Sequence, residues 1–200
     1  VSRGLGDVYK RQVYYIGPAV AKFMEAVGAF VMYATELQPF AMGIIVSVVV
    51  GIALTLPISS AALCMMIGLS GLAAGASTVG CSAQMVGFAV MSFKENGWGG
   101  LVAQGLGTSM LQIGNIVKNW KIWIPPTLAS AILGPVSTMV LKYQNIPIAA
   151  GMGTSGLVGQ FGTISTMESL GMGGVNLYLG ILMLHFILPA ILTLIIAQFM

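Results

Sequence analysis

IPIAAGMGTSGLVGQFGTISTMESLGMGG, running from Ile146 to Gly174, is apolar enough for a membrane but too rich in glycine for a plain lipid-facing helix. Each glycine inside a helix is less favourable than alanine by roughly 1 kcal/mol. So many in one segment predict a broken element, a re-entrant hairpin buried in protein or lining a cavity, because irregular backbone at membrane depth is tolerated only there. Within this segment GMGTSGL begins at Gly151, and an earlier string, GLGTSML, begins at Gly105. Gly105 aligns with Gly151, Gly107 with Gly153, Thr108 with Thr154, Ser109 with Ser155 and Leu111 with Leu157.

The composition sets the solvent. Of 200 residues, 57% are hydrophobic and 6% charged, with a mean hydropathy of +0.95. Soluble domains carry roughly 25% charged residues. So few charges cannot cover a compact soluble fold, so lipid is the expected surrounding of most of the chain. No charge occurs between Glu36 and Lys94, between Lys121 and Lys142, or after Glu168. Each gap holds one or more spans of about 20 residues. The expected fold is an all-α polytopic membrane protein with about five to seven hydrophobic elements, one of them the glycine-rich hairpin.

Outside the first few residues, Lys22, Lys94, Lys118, Lys121 and Lys142 are nearly balanced by Glu25, Glu36, Glu95 and Glu168. No basic patch results, which argues against nucleic acid as a partner. Cys64 and Cys81 lie in apolar stretches without metal-ligand spacing and read as small buried hydrophobes. No Ser-His-Asp order, zinc spacing, Walker loop or dinucleotide fingerprint occurs in its required context, so no catalytic residue, metal or cofactor is expected.

The opening VSRGLGDVYKRQ is polar, lacks a methionine start and lacks the apolar core of a signal peptide. It resembles translated adapter read-through at the edge of an open reading frame. Residues 1–12 are therefore expected to be a non-native leader, and 13–200 a membrane domain incomplete at its N-terminus.

Along the rest, Val13 to Thr35 reads equally as a span with a polar stripe or as an interfacial helix. Pro39 to Leu56 is the clearest span. Ser59 and Ser60 stand in cap position for a following helix, on which Gly71 and Gly75 make a close-packing pair. Ala76 to Phe93 is rich in Gly, Ala and Ser and should pack against other helices. KENGWGG (Lys94–Gly100) reads as a turn. KNWKIWIPP (Lys118–Pro126) reads as an interfacial belt. Thr127 to Leu141 is a span kinked by Pro135. Val175 to Phe199 is a long span holding His185 and Pro189.

The repeated strings are the candidate site. A Gly-x-Gly lets the backbone leave helical geometry, and its freed polar groups, with the hydroxyls, offer donors and acceptors to a solute. Thr108, Ser109, Gln112 and Asn115 form the first candidate set; Gly153, Thr154, Ser155, Gly156 and Gln160 form the second. The same small residues are also ordinary currency for tight helix packing in lipid, and the strings alone admit both readings. Glu168 and His185 are added because ionisable residues in membrane segments are functional candidates, against an aqueous loop for Glu168 and a structural hydrogen bond for His185.

LQPFAMGIIVSVVVGIALTLPISSAAL, GLAAGASTVG, AILGP and IPIAAGMGTSGLVGQFG together resemble the second EIIC family of the phosphotransferase system, with LPISSAA (Leu56–Ala62) and GMGTSGLVG (Gly151–Gly159) as the strongest pieces. The family comprises sugar-transporter subunits and a membrane regulator of a toxin gene. The resemblance implies a permease subunit of a phosphoenolpyruvate-dependent system in a bacterial plasma membrane. Its implied partners are a small sugar and separate cytosolic IIA and IIB phosphocarriers. Better-known EIIC families use a membrane Glu and a His near the sugar, parts that Glu168 and His185 could take. A membrane-embedded regulator or sensor and an ion-coupled secondary transporter are the alternatives. A homodimer is left open.

Overall fold

The computed structural model describes residues 17–35 and 38–200. The leader-like residues 1–12, the beginning of the first apolar stretch and Glu36 lie outside the described residues. The described residues are helical, in the order α1 (Gly17–Thr35), α2 (Pro39–Thr55), α3 (Ser60–Met66), α4 (Gly71–Met91), α5 (Phe93–Val102), α6 (Ile113–Lys118), α7 (Ile124–Pro135), α8 (Pro147–Ala150), α9 (Val158–Ser169), α10 (Val175–Leu182) and α11 (Leu188–Gln198). Among them, three continuous helices are long and apolar enough to cross a membrane: Gly71–Met91, Trp120–Leu141 and Val175–Gln198. Pro39–Thr55 is a shorter apolar helix.

The Gly/Ala/Ser-rich α4 is the axis of the bundle. Nearly all of it is buried, against α2, α7 and α11. Its small residues explain this position. A Cβ on Gly75 would strike the Tyr143 carbonyl, one on Gly80 the backbone of Ser47, and one on Gly87 Pro126 and Thr193. Lipid supplies little hydrophobic force between helices, so such close approach and the dispersion contacts it allows carry the packing. Hydroxyls complete it: Ser47 Oγ donates to Ser130 O at 2.9 Å and Ser130 Oγ to Gly80 O at 3.2 Å, tying α2, α7 and α4 together.

Several boundaries differ from the sequence expectation. The helix begun at Ser60 does not continue through Gly71 and Gly75; it ends at Met66, and α4 starts afresh at Gly71. Gly71 there exchanges two backbone hydrogen bonds with Asn145, at 3.1 and 3.2 Å. Lys94–Asn96 are helical within α5, and the break expected over the whole KENGWGG stretch is concentrated at Gly97, with φ 57°. Pro135 ends α7, and the chain runs on as a π-helical stretch over Val136–Leu141. Before Pro189 a second π-helical stretch, Met183–Ile187, accommodates the ring that would otherwise press on the carbonyl of His185.

Three segments enter the bundle and turn back. The α2–α3 segment starts with Pro39 O accepting from Thr138 Oγ1, turns at Leu56–Ser59 and returns towards Gly71. The segment 93–118 leaves the end of α4, reaches Gly105 beside Ala89, and comes back through a 3₁₀ turn and α6. The glycine-rich segment enters at Asn145 beside Gly71, reaches Gly153 against Cys81, and returns along α9 until Thr163 again meets Asn145.

Asn145 staples the two limbs of that last segment. Its buried Nδ2 donates to Thr78 Oγ1 at 2.8 Å, Gly159 O at 3.0 Å and Thr163 Oγ1 at 3.1 Å, while Oδ1 accepts from Ile146 N at 2.8 Å. Asn145→Leu removes all four bonds and leaves the Ile146 N–H without its acceptor, while Thr78 and Thr163 keep only their bonds to the carbonyls of Ala74 and Gly159. It is expected to lower stability by about 1–3 kcal/mol, read as a fall in melting temperature of the detergent-solubilised protein.

Candidate solute site at three chain breaks

The turn of the glycine-rich segment is built by positive backbone angles. Gly153 (φ 52°) lies where a Cβ would collide with the backbone of Cys81, and Gly156 (φ 53°) and Leu157 (φ 60°) follow in left-handed geometry before α9 starts. Glycine takes such angles freely, whereas Leu157 holds one at a cost that its surroundings must offset. In the first string the break falls at Thr108, which is fully extended between a π-helical turn (Ala103–Gly107) and a 3₁₀ turn (Ser109–Gln112).

The two strings meet each other. Thr154 Oγ1 donates to Gly105 O at 2.5 Å, and Ser155 Oγ donates to Gly107 O at 2.9 Å. The contact is one-sided. The hydroxyls of the second copy bind carbonyls of the first, whereas Ser109 turns away to Thr55 Oγ1 at 3.0 Å and Thr108 caps the amide of Met110 at 3.2 Å. Thr55 in turn belongs to a buried cluster around Gln84, whose Oε1 accepts from Trp123 Nε1 at 3.2 Å and whose Nε2 donates to Thr127 Oγ1 at 3.1 Å.

The turn at Leu56–Ser59 comes to the same place, with Ser60 Oγ donating to Gly151 O at 2.6 Å. The three breaks line an open cavity of about 370 Å³, whose walls include Pro57, Ser59, Ser60, Gly107, Thr108 and Ser155. Sites for small molecules run from roughly 300 to 1,000 Å³, so this one suits a small ligand. Among the described residues, no charged side chain lines it. Its hydroxyls are complementary: Ser60 and Ser155 spend their protons on carbonyls and keep lone pairs, whereas Ser59 and Thr108 accept from backbone amides and keep a proton to donate.

Of the residues singled out from sequence, Thr108 and Ser155 line this cavity, and Gly153, Thr154 and Gly156 shape the turn behind it. Ser109 braces the turn from the Thr55 side. Gln112 and Asn115 sit lower on the first segment, bonded to one another at 2.8 Å, around a different cavity. Gln160 and His185 form a separate buried pair, Nε2 to Nδ1 at 3.0 Å, with Gln160 Oε1 and His185 Nε2 unpartnered among the described residues. Glu168 stands exposed at the end of α9 and accepts from Tyr178 OH at 2.6 Å. Sequence reasoning took Ser59 and Ser60 only as helix caps and passed over Thr55 and Gln84. The signal for the last was available: it is the one amide in the otherwise weakly polar stretch 76–93.

The comparisons with known proteins bear on this arrangement through one match. A family model described as the phosphotransferase system EIIC matches residues 12–200. Comparisons with curated proteins and with solved structures return no match. The match covers all three breaks and every helix described above, and the chain belongs to the phosphotransferase system EIIC family.

Proposed function

We propose that the chain is the sugar-binding permease component of a phosphoenolpyruvate-dependent phosphotransferase system, and that the cavity at the three breaks holds a small neutral carbohydrate during its passage. The carrying observation is the cavity's uncharged set of free donors and acceptors. A sugar hydroxyl both donates and accepts, and a ring of them is matched by hydroxyls held in mixed roles better than by a strong field. The fold-back of 146–169 is read as a re-entrant hairpin, and the chain as a multi-pass protein of a bacterial plasma membrane. Membership of the family supports separate IIA and IIB phosphocarriers as partners.

Lys94, Lys118 and Lys121 belong to the end of the bundle where α4 finishes and α7 begins, while Lys142 lies at the other. By the positive-inside rule the three-lysine end faces the cytosol, where a phosphocarrier would dock. Removing the two free donors with Ser59→Ala and Thr108→Val is expected to raise the KM for uptake by about tenfold or more, at 0.5–1.5 kcal/mol for each neutral hydrogen bond. The assay is phosphoenolpyruvate-dependent uptake of radiolabelled sugars into vesicles supplied with IIA and IIB. An unchanged KM in the double variant removes the cavity from the sugar path. Uptake driven by an ion gradient without phosphorylation replaces the permease reading with that of a secondary transporter.

A further inference from the structure

Below the central cavity, and sharing none of its lining residues, lies a second cavity of about 340 Å³ between the two limbs of the segment 93–118 and the end of α4. Its polar lining is Ser92, Glu95, Asn96, Gln112 and Asn115, and Phe88, Met91 and Ile122 supply apolar surface. One wall is an ordered chain of amides. Asn115 Nδ2 donates to Gln112 Oε1 at 2.8 Å, Gln112 Nε2 to Gln104 Oε1 at 2.8 Å, Gln104 Nε2 to Ser92 Oγ at 2.9 Å, and Ser92 Oγ to Phe88 O at 2.9 Å. Gln104 and Gln112 are buried, and because the Ser92 hydroxyl spends its proton on Phe88 O it accepts from Gln104, which sets the direction of the chain. It leaves Asn115 Oδ1 as an acceptor at the outer end. Glu95, across the cavity on the outgoing limb, makes no side-chain hydrogen bond among the described residues.

We propose that this cavity is a second binding site for a hydroxyl-rich neutral solute, with the Glu95 carboxylate and the Asn96 and Asn115 amides as its ligands. The proposal rests on the permease reading and adds to it a station at the lysine-bearing end of the bundle. A carboxylate accepts two sugar hydroxyls at once, and hydrogen bonds to a charged group are stronger than neutral ones. The apolar side formed by Phe88, Met91 and Ile122 suits the C–H face of a pyranose or a hexitol. The placement also links the two sites: the segment whose tip supplies Gly107 and Thr108 to the central cavity supplies Glu95 and Asn115 to this one.

The test is direct binding to the purified full chain in detergent, with tritiated glucose, mannose, galactose, N-acetylglucosamine, mannitol and galactitol as probes. Wild type is expected to bind one of them with two sites per chain. Glu95→Gln, an isosteric change at an exposed position, is expected to weaken the second site about tenfold or more, and Asn115→Ala about two- to tenfold, each leaving the first unchanged. Ser59→Ala with Thr108→Val should do the reverse. Glu95→Asp, which keeps the charge, is expected to retain part of the affinity that Glu95→Gln loses. One site per chain that responds to Ser59 and Thr108 but not to Glu95 or Asn115 overturns this proposal and leaves the permease reading standing. Absence of binding of every probe by wild type overturns both.

Discussion

Gly80→Val is expected to destabilise the bundle more than any other single change considered, by the upper end of the roughly 1–3 kcal/mol typical of overpacking or somewhat beyond it. Gly80 lies in the middle of α4, where a Cβ would run into the carbonyl and Cα of Ser47 on α2. Those are backbone atoms, so no rotamer change relieves the clash, and the two helices must separate. Separation also breaks the bond from Ser130 Oγ to Gly80 O that joins α7 to the same point. With total stabilities of about 5–15 kcal/mol, that is a large share of the whole. The expected result is a lower melting temperature in detergent and less folded protein recovered from membranes. Gly99→Ala is the control: nothing lies within 4 Å of the position, and its effect should stay within about 0.5 kcal/mol. Equal behaviour of the two variants would falsify the close α2–α4 crossing.

Thr154→Val combined with Ser155→Ala is expected to abolish transport while leaving the protein inserted in the membrane. Together these changes delete both hydrogen bonds that hold the glycine-rich turn against Gly105 and Gly107. Valine keeps the shape of Thr154, so the loss is of the donor and not of packing. Leaving the partly buried Gly105 carbonyl without a partner costs about 1–3 kcal/mol, and the exposed Gly107 carbonyl, which water can reach, costs less. The tips are then free to part, and the cavity they close with Pro57–Ser60 loses its wall. Amide hydrogen exchange should rise at Gly105–Met110 and at Gly153–Leu157, with little change in α4. Thr154→Ser, which restores the hydroxyl, should recover the protection. Unaltered exchange at both tips in the double variant would show that the turns are held by something other than these hydroxyls.

The class of the fold was legible in the sequence. With 6% charged residues the chain has no means of covering a soluble surface, and the uncharged gaps fall on the apolar helices that the structure contains. The packing role of the Gly/Ala/Ser stretch was legible for a similar reason, since a helix with little side-chain volume gains nothing from facing lipid and much from touching another backbone. Glycine density marked where the segment after Gly151 would break, because glycine is both poor in helices and free to take the angles found at Gly153 and Gly156.

Other features were not legible. Gly105–Ser109 and Gly151–Ser155 are alike in sequence, yet one copy offers carbonyls and the other hydroxyls. Similar strings do not specify which will donate; that depends on the direction from which each segment enters and on what stands behind it. Ser109 pairs with the hydroxyl of Thr55, whereas Thr154 donates to the carbonyl of Gly105. The sequence read Gln112 and Asn115 as part of one solute site with Thr108, although they sit around a separate cavity with Glu95, a residue it had placed in a turn.

By itself, then, the sequence determined the surrounding solvent, the helical class, the location of the glycine break and the family resemblance. These depend on composition and on short strings whose physics is local. Only the tertiary structure decided that the turns at Leu56–Ser59, Gly105–Ser109 and Gly151–Leu157 share one cavity, and that Glu168 and His185 stand outside it. Those facts depend on contacts between segments up to about a hundred residues apart, such as Ser60 with Gly151 and Thr138 with Pro39. Their geometry is set by how closely backbones approach around α4, which no local string encodes.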